Sequence, residues 1–158
     1  MMKIGLVAVL LMLSVVCGFA QAADGARAPT IVACLAAAQT LDAMRDCKRI
    51  VFKACVQEPD NRDSTHGLVM CNDREGNAWQ GLLVVRTAVL KKRDAYRAEA
   101  LVAADAAWQA WVAAECAYHR AEAMGGSAEG VITTECISDL TADRVILLTW
   151  QLRGNVIY

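Results

Sequence analysis

The stretch WQGLLVVRTAVLKKRDAYRAEALVAADAAWQAWVAAECAYHRAEAMGGS, residues 79–127, holds no proline and only one glycine, Gly81, before Gly125. Ala, Leu, Arg, Lys and Glu dominate it, so helix propensity is high throughout. A single straight helix over residues 79–124 would reach about 70 Å at 1.5 Å per residue, against a radius of gyration of about 14 Å for a domain of this size. A hairpin is therefore expected, breaking at Lys91, Lys92, Arg93 and Asp94, which reads as a hairpin tip rather than an anion site. Leu101, Ala104, Trp108, Trp111 and Tyr118 recur at helical spacing and are expected to face inward, with Glu115 as the one polar step. Val84 and Val85 also read as buried helix positions. Gly125 suits a helix C-cap and Ser127 an N-cap, and a last helix then runs to about Arg153, where Gly154 ends it.

Upstream, Pro29 precedes an Ala-rich run over residues 31–38, and Leu41, Met44, Cys47, Val51 and Cys55 mark one face of a helix over residues 41–56. Thr40 divides the two runs as an N-cap. Residues 57–77 turn to Pro, Asp, Asn, Arg, Ser, Gly and His and read as a loop around Cys71, with His66 on its surface. No alternating strand pattern competes, so the class is all-α, a small disulfide-stapled bundle of helical hairpins.

The first residues carry a different message. Lys3, an apolar run over residues 4–20, and then Ala20, Gln21 and Ala22 in a small-x-small pattern read as an export signal over residues 1–22, leaving residues 23–158 as a single helical domain. Cys17 follows Val16, a poor context for acylation, so a lipoprotein is the lesser reading. Sixteen basic residues less Lys3 leave fifteen against seventeen acidic ones, a net charge of minus two, which excludes the basic signature of a nucleic-acid binder. No second long apolar run follows, so no membrane span is expected after cleavage. The expected location is periplasmic or secreted, an oxidising compartment.

In that compartment Cys34, Cys47, Cys55, Cys71, Cys116 and Cys136 read as three disulfides rather than as thiols or metal ligands. On a helix over residues 41–56, Cys47 and Cys55 would stand about 12 Å apart along the axis, too far to bridge. With Cys116 taken to pair with Cys136 across the Gly125–Gly126 turn, two options remain. Cys34 joins Cys47 and Cys55 joins Cys71, or Cys34 joins Cys55 and Cys47 joins Cys71. The shorter loops of the first make it the preferred one, and each closure is worth about 3 kcal/mol on the chain-entropy model.

Ala107, Trp108, Cys116 eight residues after that Trp, Gly125, Gly126, Ser127, Cys136, Leu140, Thr141, Arg144 and Leu147, with Glu75, Trp79, Leu82 and Leu83 upstream, resemble the LprI-type lysozyme-inhibitor family of small exported bacterial domains. The resemblance covers roughly residues 30–150. It implies a similar fold and a partner such as a lysozyme or another envelope protein. The chain departs from the family pattern where Val112 and Ala113 stand in place of Arg and Asp, Asp105 in place of Gln, and Gln80 and Val84 in place of Asp and Asn.

No Ser/His/Asp order, phosphate-cradling glycine loop or dinucleotide fingerprint is found, so enzyme activity and a cofactor are not expected. Glu115, His119 and Glu122 share one helix face, but two carboxylates and one imidazole read as an ion-paired surface rather than a metal site. Trp108 is expected in the core and Trp111 is the more open case. The expected function is binding: a lysozyme-inhibitor-like protein that occludes a wall-acting glycosidase through Gly125, Gly126, Ser127, Glu129 and Trp111. The alternative is a structural or accessory envelope protein without inhibitory activity.

Overall fold

The computed structural model describes residues 28–62 and 64–155. The expected export signal and Cys17 lie outside the described residues. Six helices follow in order: α1 (Ala28–Ala37), α2 (Leu41–Arg45), α3 (Ile50–Cys55), α4 (Thr65–Arg93), α5 (Ala98–Ala121) and α6 (Glu129–Leu152), with no strand among the described residues.

The frame is α4, α5 and α6. Asn72 Nδ2 donates to the Val131 carbonyl at 3.4 Å and Arg93 Nη1 to the Leu152 carbonyl at 2.7 Å. The same sequence offset at both places makes α4 and α6 parallel partners along their length. Between the two in sequence, α5 returns antiparallel, and the Cys116–Cys136 disulfide and the 2.5 Å Asp105–Arg144 ion pair hold it to α6. The predicted break at the charged tip occurs where Asp94 Oδ1 accepts from Arg97 N at 3.1 Å and Oδ2 from Arg97 Nε at 2.5 Å. That guanidinium holds the Asp94 carboxyl below the usual carboxylate range, so the lock is present at neutral pH and is lost on acidification through the lowered value. The core gathers Ile31, Leu35, Met44, Val51, Trp79, Leu82, Leu83, Val145, Ile146 and Leu148.

Two expectations fail in the N-terminal half. The single helix expected over residues 41–56 is broken: Arg49 sits in the left-handed region at φ 66° and α3 starts afresh at Ile50. The loop expected over residues 57–77 is largely helix, because Ser64 caps α4 by accepting from Gly67 N at 2.9 Å. The first change centres on Glu75, a residue of α4 that is only 2 % exposed. Its Oε2 accepts from Val51 N at 2.7 Å and Phe52 N at 2.8 Å, while Oε1 accepts from Arg49 N at 3.0 Å and Trp79 Nε1 at 2.6 Å. The Arg49 side chain does not cap α3. A carboxylate from α4 does so instead, satisfying orphan donors at the end where the helix dipole favours negative charge. Thr40 is the cap the sequence indicated, its Oγ1 accepting from Ala43 N at 3.1 Å.

Around this cap the second segment is pinned. Arg49 Nη1 reaches Glu135 at 2.8 Å and Lys48 reaches Asp143 at 3.1 Å, both on α6. Cys34 joins Cys47, Cys55 joins Cys71 and Cys116 joins Cys136, with Cα separations of 5.8, 5.5 and 5.6 Å. This is the shorter-loop option. Gly67 lets the 55–62 turn lie on α4: a Cβ there would stand 2.3 Å from the Asn61 carbonyl oxygen.

The phase of α5 also differs from expectation. Val112 and Cys116 are buried and Leu101, Asp105 and Trp108 half-buried, whereas Ala104, Trp111 and Tyr118 are exposed. On α4, Val84 and Val85 face solvent, Val84 at 62 % exposure. Alanine is indifferent to burial, so in an Ala-rich helix the aromatics suggested a seam about one residue out of phase with the buried one.

Glu75→Ala leaves several buried N–H donors without an acceptor and is expected to cost about 4 kcal/mol, whereas Trp79→Phe, losing one of the four bonds, costs about 1–2 kcal/mol. Urea denaturation of the oxidised protein checks both. A loss below about 1 kcal/mol for Glu75→Ala would mean that α3 is held by something else.

Candidate binding surface

The junction between α5 and α6 is built from tight turns. Glu122 N, Ala123 N and Met124 N each donate to a carbonyl three residues back at 3.1 Å, and Gly126 N donates to the Ala123 carbonyl at 2.8 Å. Met124 and Gly125 are consecutive left-handed residues, at φ 46° and 82°. Glycine adopts this region freely, but a methionine there is strained. Glu129, in the first turn of α6, accepts from Gly125 N at 3.1 Å through Oε1 and so ties the turn to the helix it precedes. Below it, the Cys116–Cys136 disulfide fixes the spacing of the two helices.

Gly125, Gly126, Ser127 and Ala128 are all exposed, and Met124 is 91 % exposed. The structure therefore brings together Gly125, Gly126, Ser127 and Glu129, but Ser127 is not the helix cap. Ala128 occupies that position without a side-chain bond, and the Ser127 hydroxyl finds no partner among the described residues. Met124 is the residue that sequence reasoning missed. Nothing in residue type signals a left-handed methionine, although its place directly before two glycines is a turn signal.

Trp111 is not part of this turn. It is 48 % exposed and lies ten residues before the end of α5, about 15 Å along the helix axis. Between them stands Tyr118, 69 % exposed, two turns beyond Trp111 on the same face. Ala103, Ala107, Ala110, Ala114, Ala117 and Ala121 complete an apolar outer side of α5. At its edge His119 sits between Glu115 at 3.3 Å and Glu122 at 3.5 Å, with the Tyr118 ring edge-on at 5.4 Å. These are His–carboxylate contacts on the surface of α5. Among the described residues no group of three or more His, Cys, Asp or Glu is disposed to hold a metal ion.

Two clefts flank α5. One, of about 310 Å³, lies between α4 and α5 and is lined by Gln80, Val84, Asp105, Trp108 and Gln109 among others. The other, of about 650 Å³, lies where the C-terminal ends of α4 and α6 meet the start of α5, with Arg93, Arg97 and Arg144 on its walls. Those guanidiniums are engaged with the Leu152 carbonyl, Asp94 and Asp105 respectively, so Arg93 caps the C-terminal end of α6 and the other two are held in ion pairs. His66 opens α4 and is exposed.

A family model described as lysozyme inhibitor LprI matches residues 55–148, which is 94 of the 158 residues. The match begins at Cys55, later than the resemblance in the sequence suggested, and takes in α4, α5, the turn and most of α6. No curated protein and no solved structure matches.

Met124→Gly relieves the left-handed strain while removing a side chain that packs on little, so the variant is expected to be at least as stable as the parent and up to about 1 kcal/mol more so. Chemical denaturation checks it. A clear destabilisation would mean that the methionine side chain holds the turn together.

Proposed function

The chain belongs to the LprI lysozyme-inhibitor family, and from that premise we propose that it is an extracytoplasmic binding protein that blocks a lysozyme or related wall-acting glycosidase by occupying the enzyme's cleft. The observation that carries this reading is the turn at residues 122–128: exposed, braced by a disulfide and by Glu129, and tipped by Met124. A loop already ordered in its bound shape loses little conformational entropy on association. Methionine at the tip is an adaptable apolar anchor, and Gly125, Gly126 and Ser127 leave the backbone open to a close approach. Glycosidase clefts carry paired carboxylates that need room for substrate and water, so occlusion is sufficient and no chemistry is asked of this chain. It is not an enzyme on this reading. Three disulfides support an oxidising compartment, periplasmic or external. The net acidic balance of the chain favours encounter with a basic lysozyme.

One observation favours an accessory envelope protein without inhibition. Val112 turns into the core and Ala113 is a bare exposed position, so α5 lacks the Arg and Asp of the family pattern there. The two readings part in a lytic assay with oxidised protein. Inhibition of at least one lysozyme type at micromolar concentration is expected, weakened about tenfold or more by Met124→Ala and also by replacing Cys116 and Cys136 with Ser. A protein that leaves every lysozyme type untouched is the accessory one.

A further inference from the structure

α4 spends most of its buried face on α6 and touches α5 only sparingly, which leaves the 310 Å³ cleft open between α4 and α5. Its floor is apolar. Trp108 packs partly against the core, Leu83 is buried beside it, and Val84 remains largely exposed on the α4 wall. Its polar groups fall into two sets. Asp105 is committed inward: Oδ1 accepts from Arg144 Nη2 at 2.5 Å and Oδ2 from Thr87 Oγ1 at 3.3 Å. Gln80, Gln109 and Lys91 line the same cleft and find no hydrogen-bond or ionic partner among the described residues.

We infer that this cleft is a saccharide-binding site, sized for one or two sugar rings. The ligand class follows from what the walls offer. Each neutral carboxamide can donate two hydrogen bonds and accept others, which complements hydroxyl groups that do both. An indole beside them offers an apolar surface to the C–H face of a pyranose. A purely apolar ligand would strip water from Gln80 and Gln109 without replacing it. A peptide strand would find no free backbone ladder on walls made of helix. With Asp105 neutralised by Arg144, Lys91 is the one unpaired charge on the walls, so a neutral sugar is accepted and one bearing a carboxylate is favoured. The volume lies at the lower end of that seen for small-molecule sites. The site is separate from the turn at residues 122–128 and does not depend on the inhibitor reading.

The test is a heteronuclear NMR titration of the oxidised full chain with tri-N-acetylchitotriose, and with cellotriose as the sugar lacking acetamido groups. Saturable shifts of the Trp108 indole N–H and the Gln80 and Gln109 carboxamides are expected with at least one sugar, at a dissociation constant of about 1 mM or tighter. The double variant Gln80→Ala with Gln109→Ala changes two exposed residues and should leave the fold intact while raising that constant about tenfold or more. Trp108→Phe, which keeps an aromatic floor, should weaken binding less than the double variant. Met124→Ala should leave the titration unchanged, so failure of the inhibitor reading and failure of this one are told apart. The inference is overturned by an absence of saturable shifts with both sugars at about 10 mM, by shifts that survive in the double variant, or by shifts confined to residues 122–128.

Discussion

The Glu75 carboxylate is the constraint on which the rest of the structure depends. A charge buried this deeply costs several kcal/mol unless it is well hydrogen-bonded, and here four donors converge on it. Three come from the first turn of α3 and its flank, and the fourth is the indole of Trp79, the largest fully buried side chain. One group thus ties a short helix, a long helix and the core. The left-handed Arg49 goes with this, since the bend there lets the backbone N–H groups of Arg49, Val51 and Phe52 converge on one carboxylate. The bend in turn sends the Arg49 guanidinium to Glu135 and over the Phe52 ring at 3.7 Å, and Lys48 between Asp139 and Asp143. With α3 so placed, Cys55 meets Cys71 in α4.

This also explains which parts of the fold were legible in the sequence. The hairpin at Arg93–Asp94 and the end at Gly154 were readable because glycine and charge clusters act locally, whereas Gly125 marked the turn but not the helix C-cap, which is Glu122, because the chain leaves α5 at Ala121 through a run of tight turns. The preferred cysteine pairing was readable from loop length once Cys116 was taken with Cys136, even though the helix that kept Cys47 from Cys55 is broken at Arg49. The first half of α4 was hidden because its buried face is Gly67, Cys71, Asn72 and Glu75, which keep a helical spacing of four, one and three but lack the apolar character that a periodicity reading seeks. A helix that packs through a glycine contact, a disulfide, a buried amide and a buried carboxylate has a loop's composition. The break at Arg49 could not be read at all, since its cause lies 26 residues away in sequence.

The candidate surfaces divide in the same way. Gly125, Gly126 and Ser127 announce a turn by residue type. Met124 does not, because its exposure and left-handed backbone are imposed by the turns on either side. Trp111 was readable as an aromatic of uncertain side, and the true phase of α5 put it outside while Val112 went in. The α4–α5 cleft needs two segments some twenty-five residues apart to be set at a fixed separation, and that separation is decided by α6, which packs on both.

The arrangement of supports along α6 bears on how such surfaces could change without loss of the fold. At the C-terminal end Arg153 donates to the Leu35 and Ala38 carbonyls, and the Cys34–Cys47 bridge closes α1 onto α2. At the other end, about 36 Å away for a helix of 24 residues, stands the turn braced by Cys116–Cys136 and Glu129. The family match covers the turn and its brace but stops short of α1 and α2. The first bridge and the Arg153 contacts therefore lie outside the shared segment, and they act on backbone carbonyls and a local loop rather than on the α5–α6 junction. Substitutions at that end alter how α1 and α2 are tied, whereas the tip at Met124 is set by φ angles and a disulfide within some twenty residues of itself. A turn supported this locally can vary in sequence at its tip while the buried carboxylate and the α4–α6 packing keep the scaffold unchanged.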